Sequence, residues 1–187
     1  MAMPQTLEEW TAARVRELPE DGKRYEVVDG ELLVTPAPTF DHQRAVGELF
    51  VRLREYCGAT RIGEAVMSPA DIEFDPRTLV QPDVFVVPTG DVRPKNWSDI
   101  RNLLVAAEVF SPSTARADRT VKRRRYQRAA VPDYWIVDLD ARLIERWRPT
   151  DERPELLTER LTWHPEGATT SFEADLPTFF RSVLAEA

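Results

Sequence analysis

The chain has 187 residues, of which 42% are hydrophobic and 30% are charged, and its formal net charge is −7. This composition fits one globular domain with a sizeable core, and it excludes a membrane-spanning helix, which needs about 20 apolar residues in a row. The single cysteine, Cys57, excludes an internal disulfide and a cysteine zinc site. With no basic-then-apolar signal pattern at the N-terminus, we expect a cytoplasmic protein without membrane contact.

The N-terminal part predicts a helix, a hairpin and a second helix. Residues 6–9 have capping-box spacing and predict a helix to about residue 17. Asp29-Gly30 stands between two β-prone runs within residues 24–34, which is a strong hairpin signal. Asp41 is expected to cap a helix that runs to about Cys57.

Predicted strands follow in the middle of the chain, and an apolar run at residues 103–110 predicts a strand that is buried on both faces. The other predicted strands are residues 60–67, 70–74, 79–87, 134–137, 143–148 and 156–163. A helix to about residue 130 follows the buried strand, and a closing helix is predicted at residues 176–184. This order predicts an α/β fold with a strand–helix–strand unit.

We expect a single domain over residues 1–187. It would comprise an N-terminal helix and hairpin (1–35), a core (36–140), and C-terminal strands and a helix (141–187).

Positive charge is concentrated in one segment of an otherwise acidic chain. Residues 116–128 contain seven bases and one acid, a net charge of +6, which leaves −13 for the rest. Such a run is usually a solvated helix face, and the alternative is a helix that contacts phosphates.

Two acids stand in apolar surroundings where a carboxylate is costly. Asp83 precedes Val-Phe-Val-Val, and Glu108 lies within Leu-Leu-Val-Ala-Ala-Glu-Val-Phe. A buried carboxylate is either paired with a base or hydrogen-bonded, or it binds a metal ion. Two of them on neighbouring strands favour a site for a hard cation.

Asp118, Lys122 and Tyr126 follow i, i+4, i+8 spacing and therefore share one stripe of the helix after Glu108. The first turns of this helix lie near the end of the strand that carries Glu108, so Lys122 is able to reach the acids. The alternative is an ordinary Asp118–Lys122 helix pair.

Six sequence pieces occur in a specific order along residues 6–150: RYEVVDGEL (24–32), PAPTFDHQ (36–43), QPDV (81–84), EVFSPST (108–114), DxxxKxxxY (118–126) and VPDYWIVD (131–138). Together they resemble the Uma-two family, a group of domains of unknown function in the PD-(D/E)XK nuclease superfamily. The resemblance implies a restriction-endonuclease-like core, a mixed β-sheet flanked by helices, and Mg²⁺- or Mn²⁺-dependent cleavage of nucleic acid, with DNA as the expected substrate.

Carried over residue by residue, the resemblance makes Asp83 and Glu108 the metal ligands and, with Lys122, the catalytic trio. The chain departs from the superfamily pattern at Phe110, where a lysine is usual two residues after the acid. In this family the lysine is instead on the next helix, which here is Lys122. Lys122 would orient the attacking water and stabilise negative charge.

Further residues are candidates for supporting roles. They are His42, Glu48, Asp118 and Tyr126 near the metal, and Arg116, Arg119, Arg123 and Arg124 on the nucleic-acid backbone. The alternatives are packing or capping for His42, solvent exposure for Glu48, and packing for Tyr126. By analogy with double-strand cutters, a homodimer stays open beside a monomer.

Two rival functions remain beside a metal-dependent endonuclease. Phe110 and the acidic net charge would also fit a catalytically inactive nuclease fold that binds nucleic acid. The acidic body and a C-terminal part with Trp147 and Trp163 would also fit a protein-interaction module.

Overall fold

The computed structural model describes residues 9–92, 96–111 and 115–185, apart from the side chain of Ser98. Within them the strands are β1 (Arg24–Val28), β2 (Glu31–Thr35), β3 (Gly63–Met67), β4 (Ile72–Asp75), β5 (Thr78–Val80), β6 (Val84–Pro88), β7 (Val105–Val109), β8 (Tyr134–Asp138), β9 (Leu143–Trp147), β10 (Glu155–Leu157), β11 (Arg160–Trp163) and β12 (Phe172–Asp175). The helices are α1 (Ala12–Val15), α2 (Phe40–Thr60), α3 (Arg123–Arg128) and α4 (Leu176–Leu184), with a π-helical turn at Ala117–Lys122 that leads into α3. None of the described helices has the length and apolar character to cross a bilayer.

The main sheet has six strands in the order β10-β9-β8-β7-β6-β3. Only β7 and β8 pair in parallel, and the other neighbours are antiparallel. A parallel pair needs a crossover connection, and the helical segment that ends in α3 supplies it. The predicted mixed sheet flanked by helices is therefore confirmed.

A second, antiparallel sheet has the order β2-β1-β5-β4. Its β1–β2 hairpin turns at Asp29 and Gly30, whose φ angles are 53° and 86°. Positive φ at both central residues is the geometry that favours Asp-Gly in a two-residue hairpin loop. The predicted hairpin is thus present, with strands that extend to Thr35.

The prediction of one strand over residues 79–87 is wrong. The segment divides into β5, which joins the four-stranded sheet, and β6, which joins the six-stranded sheet. Pro82 lies between them, and proline cannot donate a ladder hydrogen bond. Asp83 therefore directly precedes β6, at the junction between the two sheets.

Other boundaries also differ from the prediction. Residues 156–163 form two strands, and β11 pairs with the unpredicted β12 in a separate two-stranded sheet instead of extending the main one. Thr11 caps α1, and Thr39 caps α2 in place of the predicted Asp41. The predicted start of the first helix, at residues 6–8, lies outside the described residues, as do residues 112–114 between the buried strand and the helix predicted to follow it.

The two faces of the six-stranded sheet are covered by different elements. One face packs on α2 and α4, and its Trp135 contacts the aromatic side chains of Trp163 and Phe172. The other face packs on α3, through Tyr126, and on the four-stranded sheet. Charged side chains buried on this second side meet elements from both sheets.

Candidate active site

Asp83 directly precedes β6, and Glu108 lies on β7, the adjacent antiparallel strand. The β6–β7 register pairs Val84 with Ala107, so one further step places Asp83 opposite Glu108. Directly opposite residues have Cβ atoms about 5 Å apart. Asp83 Oδ2 also accepts a 2.8 Å hydrogen bond from the backbone N–H of Val109. The structure therefore brings the two sequence-predicted acids together.

The side chains of Arg24 and His42 both contact the Asp83 carboxylate. Arg24 Nη1 lies 2.6 Å from Oδ1 and His42 Nε2 lies 3.2 Å from Oδ2. Burial disfavours the charged carboxylate, but the hydrogen bonds and charges of His42 and Arg24 outweigh it and hold the pKa of Asp83 below its ordinary value. Asp83 is thus an ionised carboxylate whose oxygens already have partners.

Lys122 lies in a cage of three buried carboxylates. Its Nζ is 2.8 Å from Glu26 Oε2, 3.0 Å from Glu108 Oε1 and 3.8 Å from Asp118 Oδ1. Burial disfavours the ammonium, but these carboxylates outweigh it and raise the pKa of Lys122 above its ordinary value. Lys122 is therefore a permanent cation beside Glu108, as the helical stripe predicted.

The environment of Glu108 raises its pKa, whereas the environment of Asp83 lowers the pKa of that acid. Burial raises the pKa of Glu108 well above its usual range; Lys122 opposes this, while the nearby acids add to it. The Tyr126 hydroxyl lies 3.3 Å from Glu108 Oε1 and donates to it, and burial raises the pKa of Tyr126 as well. The surroundings of Glu108 and Asp83 therefore shift the pKa values of the two acids in opposite directions.

The π-helical turn and α3 present their buried stripe to this cluster. Asp118, Lys122 and Tyr126 are all at most 2% exposed. The Tyr134 hydroxyl donates to the carbonyl of Asp118 at 3.2 Å, and the rings of Tyr126 and Tyr134 are in contact, tilted by 33° with centroids 4.6 Å apart. Asp118 and Tyr126, predicted as supporting residues, thus both belong to the cluster.

Glu26 and Arg24 are site residues that the sequence reasoning missed. Glu26 is fully buried on β1; its Oε1 accepts from the backbone N–H of Gln81 at 2.7 Å, and its Oε2 faces Lys122. It therefore ties the helix that carries Lys122 to the loop that carries Asp83. The available signal was an acid directly before Val27-Val28 in a β-prone run, the same anomaly that marked Asp83 and Glu108.

Glu48 and the usual position of the lysine, Phe110, both lie outside the cluster. Glu48 accepts from Arg52 one turn along α2, at 2.7 and 2.9 Å, and none of its described contacts involves the cluster. Phe110, at the usual lysine position, packs under the guanidinium of Arg119, 4.3 Å from its ring centroid. That position therefore holds a cation–π contact, and no amine.

Two of the four predicted nucleic-acid-binding arginines are engaged within the protein. Arg119 pairs with Asp138 and Glu145. Arg123 lies over the ring of Trp147. The other two, Arg116 and Arg124, are exposed, make no ion pair with any described residue, and line a surface groove of about 850 Å³ beside the β1–β2 turn.

The donor set suits a hard divalent cation in chemistry and charge. Four buried carboxylates face two full cations, Arg24 and Lys122, so the cluster has an acid excess that a divalent ion would balance. In this arrangement the oxygens are turned toward the protein's own cations. Accordingly, no group of three or more His, Cys, Asp or Glu side chains converges as a metal site within the described ranges.

Comparison with known proteins agrees with this fold and site. The family model described as "Uma2: Putative restriction endonuclease" matches residues 12–184. A crystal structure of "a putative nuclease belonging to DUF820 from Anabaena variabilis ATCC 29413" is similar with a TM-score of 0.78 and 18% identity, covering 93% of this chain and 99% of that one. No curated protein matches the sequence. The chain belongs to the Uma2 family, and it has a restriction-endonuclease-like fold.

Proposed function

We propose that this Uma2-family chain is a divalent-metal-dependent endonuclease that hydrolyses phosphodiester bonds of DNA in the cytoplasm, with Mg²⁺ or Mn²⁺ as its ion. The observation that carries the proposal is the placement of Asp83 opposite Glu108, with the Lys122 ammonium 3.0 Å from Glu108. Family membership supports a nuclease, and the acid excess of the cluster supports a divalent cation.

In this proposal Asp83 and Glu108 hold the ion through their carboxylates. When bound, the ion would polarise a phosphoryl oxygen and lower the pKa of a water molecule. Lys122 keeps the carboxylates at a fixed place and stabilises developing negative charge with a compact cation in a site of low dielectric. Glu26 holds Lys122 at 2.8 Å, so the ammonium stays directed at the acids.

Calorimetric titration with Mn²⁺ and Mg²⁺ tests the metal site, and incubation with supercoiled plasmid tests cleavage. We expect the wild type to bind an ion with about millimolar affinity or better. Asp83→Asn and Glu108→Gln should lose both the binding and the nicking of plasmid. Glu145→Gln is the matched control, because Glu145 is a buried acid that pairs with Arg119 outside the cluster.

Loss of ion binding only in the two cluster variants, with all proteins folded, would support one shared site. If the wild type binds no ion even with an oligonucleotide present, the metal-dependent proposal is wrong.

A catalytically inactive nuclease fold that binds nucleic acid is the second candidate. The saturation of Asp83 by Arg24 and His42 favours it, because a closed ion-pair network is stable without any metal. It predicts salt-dependent DNA binding without cleavage. A protein-interaction module, the third alternative, predicts neither.

A further inference from the structure

The charged groups of the cluster differ in their access to solvent. The side chain of Lys122 is 2% exposed and is enclosed by three carboxylates. The side chains of Arg24 and His42 are 17% and 12% exposed. A phosphate that approaches from solvent therefore meets the Arg24 side of the cluster, while Lys122 is shielded by its carboxylate partners.

Arg24 keeps donor capacity after its contacts within the protein are satisfied. Its Nη1 donates to Asp83 Oδ1 at 2.6 Å and to the carbonyl of Gln81 at 3.1 Å, and its Nε lies 3.8 Å from Glu26 Oε2. Its Nη2 has no hydrogen-bonding partner among the described residues. The guanidinium fork is thus fixed at one edge and open at the other, which preorganises it for a phosphate oxygen.

His42 lacks an equivalent open edge. Its Nε2 is directed at Asp83, and its Nδ1 is buried with no hydrogen-bonding partner among the described residues. Of the two partly exposed groups on Asp83, only Arg24 has a donor available to a ligand from solvent.

We propose that Arg24 is a substrate-contacting residue that binds a backbone phosphate of the nucleic acid beside Asp83. This inference rests on the proposed function, because it places the reacting phosphate at Asp83. It adds to the Asp83–Glu108–Lys122 trio a phosphate contact that comes from the β1 strand.

Equilibrium binding of a labelled duplex oligonucleotide, as a function of salt, tests this contact without relying on turnover. Binding is measured by fluorescence anisotropy in Ca²⁺ buffer between about 50 and 200 mM salt, and the duplex is checked by gel for intactness. Each phosphate contact contributes about 0.9 to the slope of log K against log salt. Arg24→Gln should lower the slope by about 0.9 and weaken binding about tenfold or more, as the loss of a charged hydrogen bond does.

Two further variants sharpen the interpretation. Arg24→Lys keeps the charge but loses the fork, so it should retain the slope and bind more weakly. Arg160→Gln removes the same charge from β11, where Arg160 pairs with Glu173, and should also leave the slope unchanged.

An unchanged slope in folded Arg24→Gln would overturn the inference. Where Arg24→Gln does not fold, Arg24→Lys decides, and wild-type affinity in that variant counts against the contact. If the slope depends on Arg24 but the protein does not cleave DNA with any metal ion tested, the phosphate contact is upheld and the hydrolytic function is refuted. Cleavage that is unaffected by Arg24→Gln would do the reverse.

Discussion

Removing the ammonium of Lys122 should strongly destabilise the fold. Lys122→Met preserves the length and apolar stem of the side chain but leaves Glu26, Glu108 and Asp118 without their shared cation. Breaking a buried ion pair by removing one partner costs about 3–5 kcal/mol. Domains have only about 5–15 kcal/mol of stability, so a large part of it should be lost.

Urea denaturation at neutral pH, followed by tryptophan fluorescence and circular dichroism, measures this loss. With a urea dependence of about 2 kcal/mol per molar, the midpoint should fall by about 2 M. Lys23→Met is the matched control: Lys23 is an exposed lysine 2.8 Å from Asp21, and exposed ion pairs contribute little. Its midpoint should therefore stay close to that of the wild type.

A double variant identifies the cause of the destabilisation. Adding Glu108→Gln to Lys122→Met removes one of the stranded carboxylates, and a coupling of about 0.5–3 kcal/mol is expected for groups in contact. A loss below about 1 kcal/mol in Lys122→Met alone would refute the reasoning, because it would mean that the carboxylates do not depend on this cation. The result also matters for function, since inactivity of a Lys122 variant is informative only while the protein is folded.

Three further changes have defined signs. The raised pKa of Glu108 means that the folded state binds this proton more tightly than the unfolded state, so the stability that it contributes is present below the ordinary pKa of 4.5 and is lost as pH rises. The metal-free wild type should therefore lose stability toward neutral pH relative to Glu108→Gln, by about 1.4 kcal/mol per unit of pKa. Denaturation series at several pH values measure this difference. The lowered pKa of Asp83 acts in the opposite sense, so its contribution is present above its ordinary value of 3.8 and is lost in acid; Asp83→Asn should therefore flatten the acid side of the same curve. Curves that run parallel to the wild type would contradict either statement. Gly30→Ala should cost about 1 kcal/mol or more in thermal unfolding, because Gly30 has a φ of 86° and a Cβ would lie 3.1 Å from Arg77 Nη2; an unchanged midpoint would mean that the turn relaxes.

Local patterns in the sequence predict most single elements of this fold. The Asp29-Gly30 turn, the apolar run around Glu108 and the last helix are each specified by residues close in sequence, and all three are present where expected. Alternation and turn chemistry act over a few residues, so they do not need the rest of the chain.

The assignment of strands to sheets depends on contacts between distant residues. β5 and β6 are separated by three residues around Pro82 yet belong to different sheets. β12 has four residues and gains its place only by pairing with β11. Periodicity indicates which side chains share a face, but not which strand lies alongside.

The site shows the same division between local and distant information. Asp83, Glu108 and Lys122 could be chosen because each is a charge on an apolar strand or on the stripe beside it. The pair of Arg24 with Asp83 spans 59 positions, and no spacing rule relates residues so far apart. The partners that fix the protonation states of the acids are therefore visible only in the folded chain.

The position of the lysine is the point at which this chain departs from the superfamily pattern that its sequence resembles, and the fold gives a physical reason. Phe110 follows Glu108 by two residues and so lies on the same face of β7, roughly 7 Å further along the strand. The guanidinium of Arg119 lies over the ring of Phe110 and pairs with Asp138 and Glu145 on β8 and β9. Asp83 lies on the opposite side of β7, next to β6. A lysine at 110 would enter a place that already holds a cation.

We therefore expect Phe110→Lys to fail to restore the stability of Lys122→Met. The new amine would lie beside Arg119, and it would leave Glu26 and Asp118 without the ammonium that they share in the wild type. Urea midpoints of the single and double variants measure this directly. Recovery of the wild-type midpoint would show that the two lysine positions are equivalent. Failure is the expected result, because a lysine at position 110 would not replace the ammonium that lies 2.8 Å from the Glu26 carboxylate on β1.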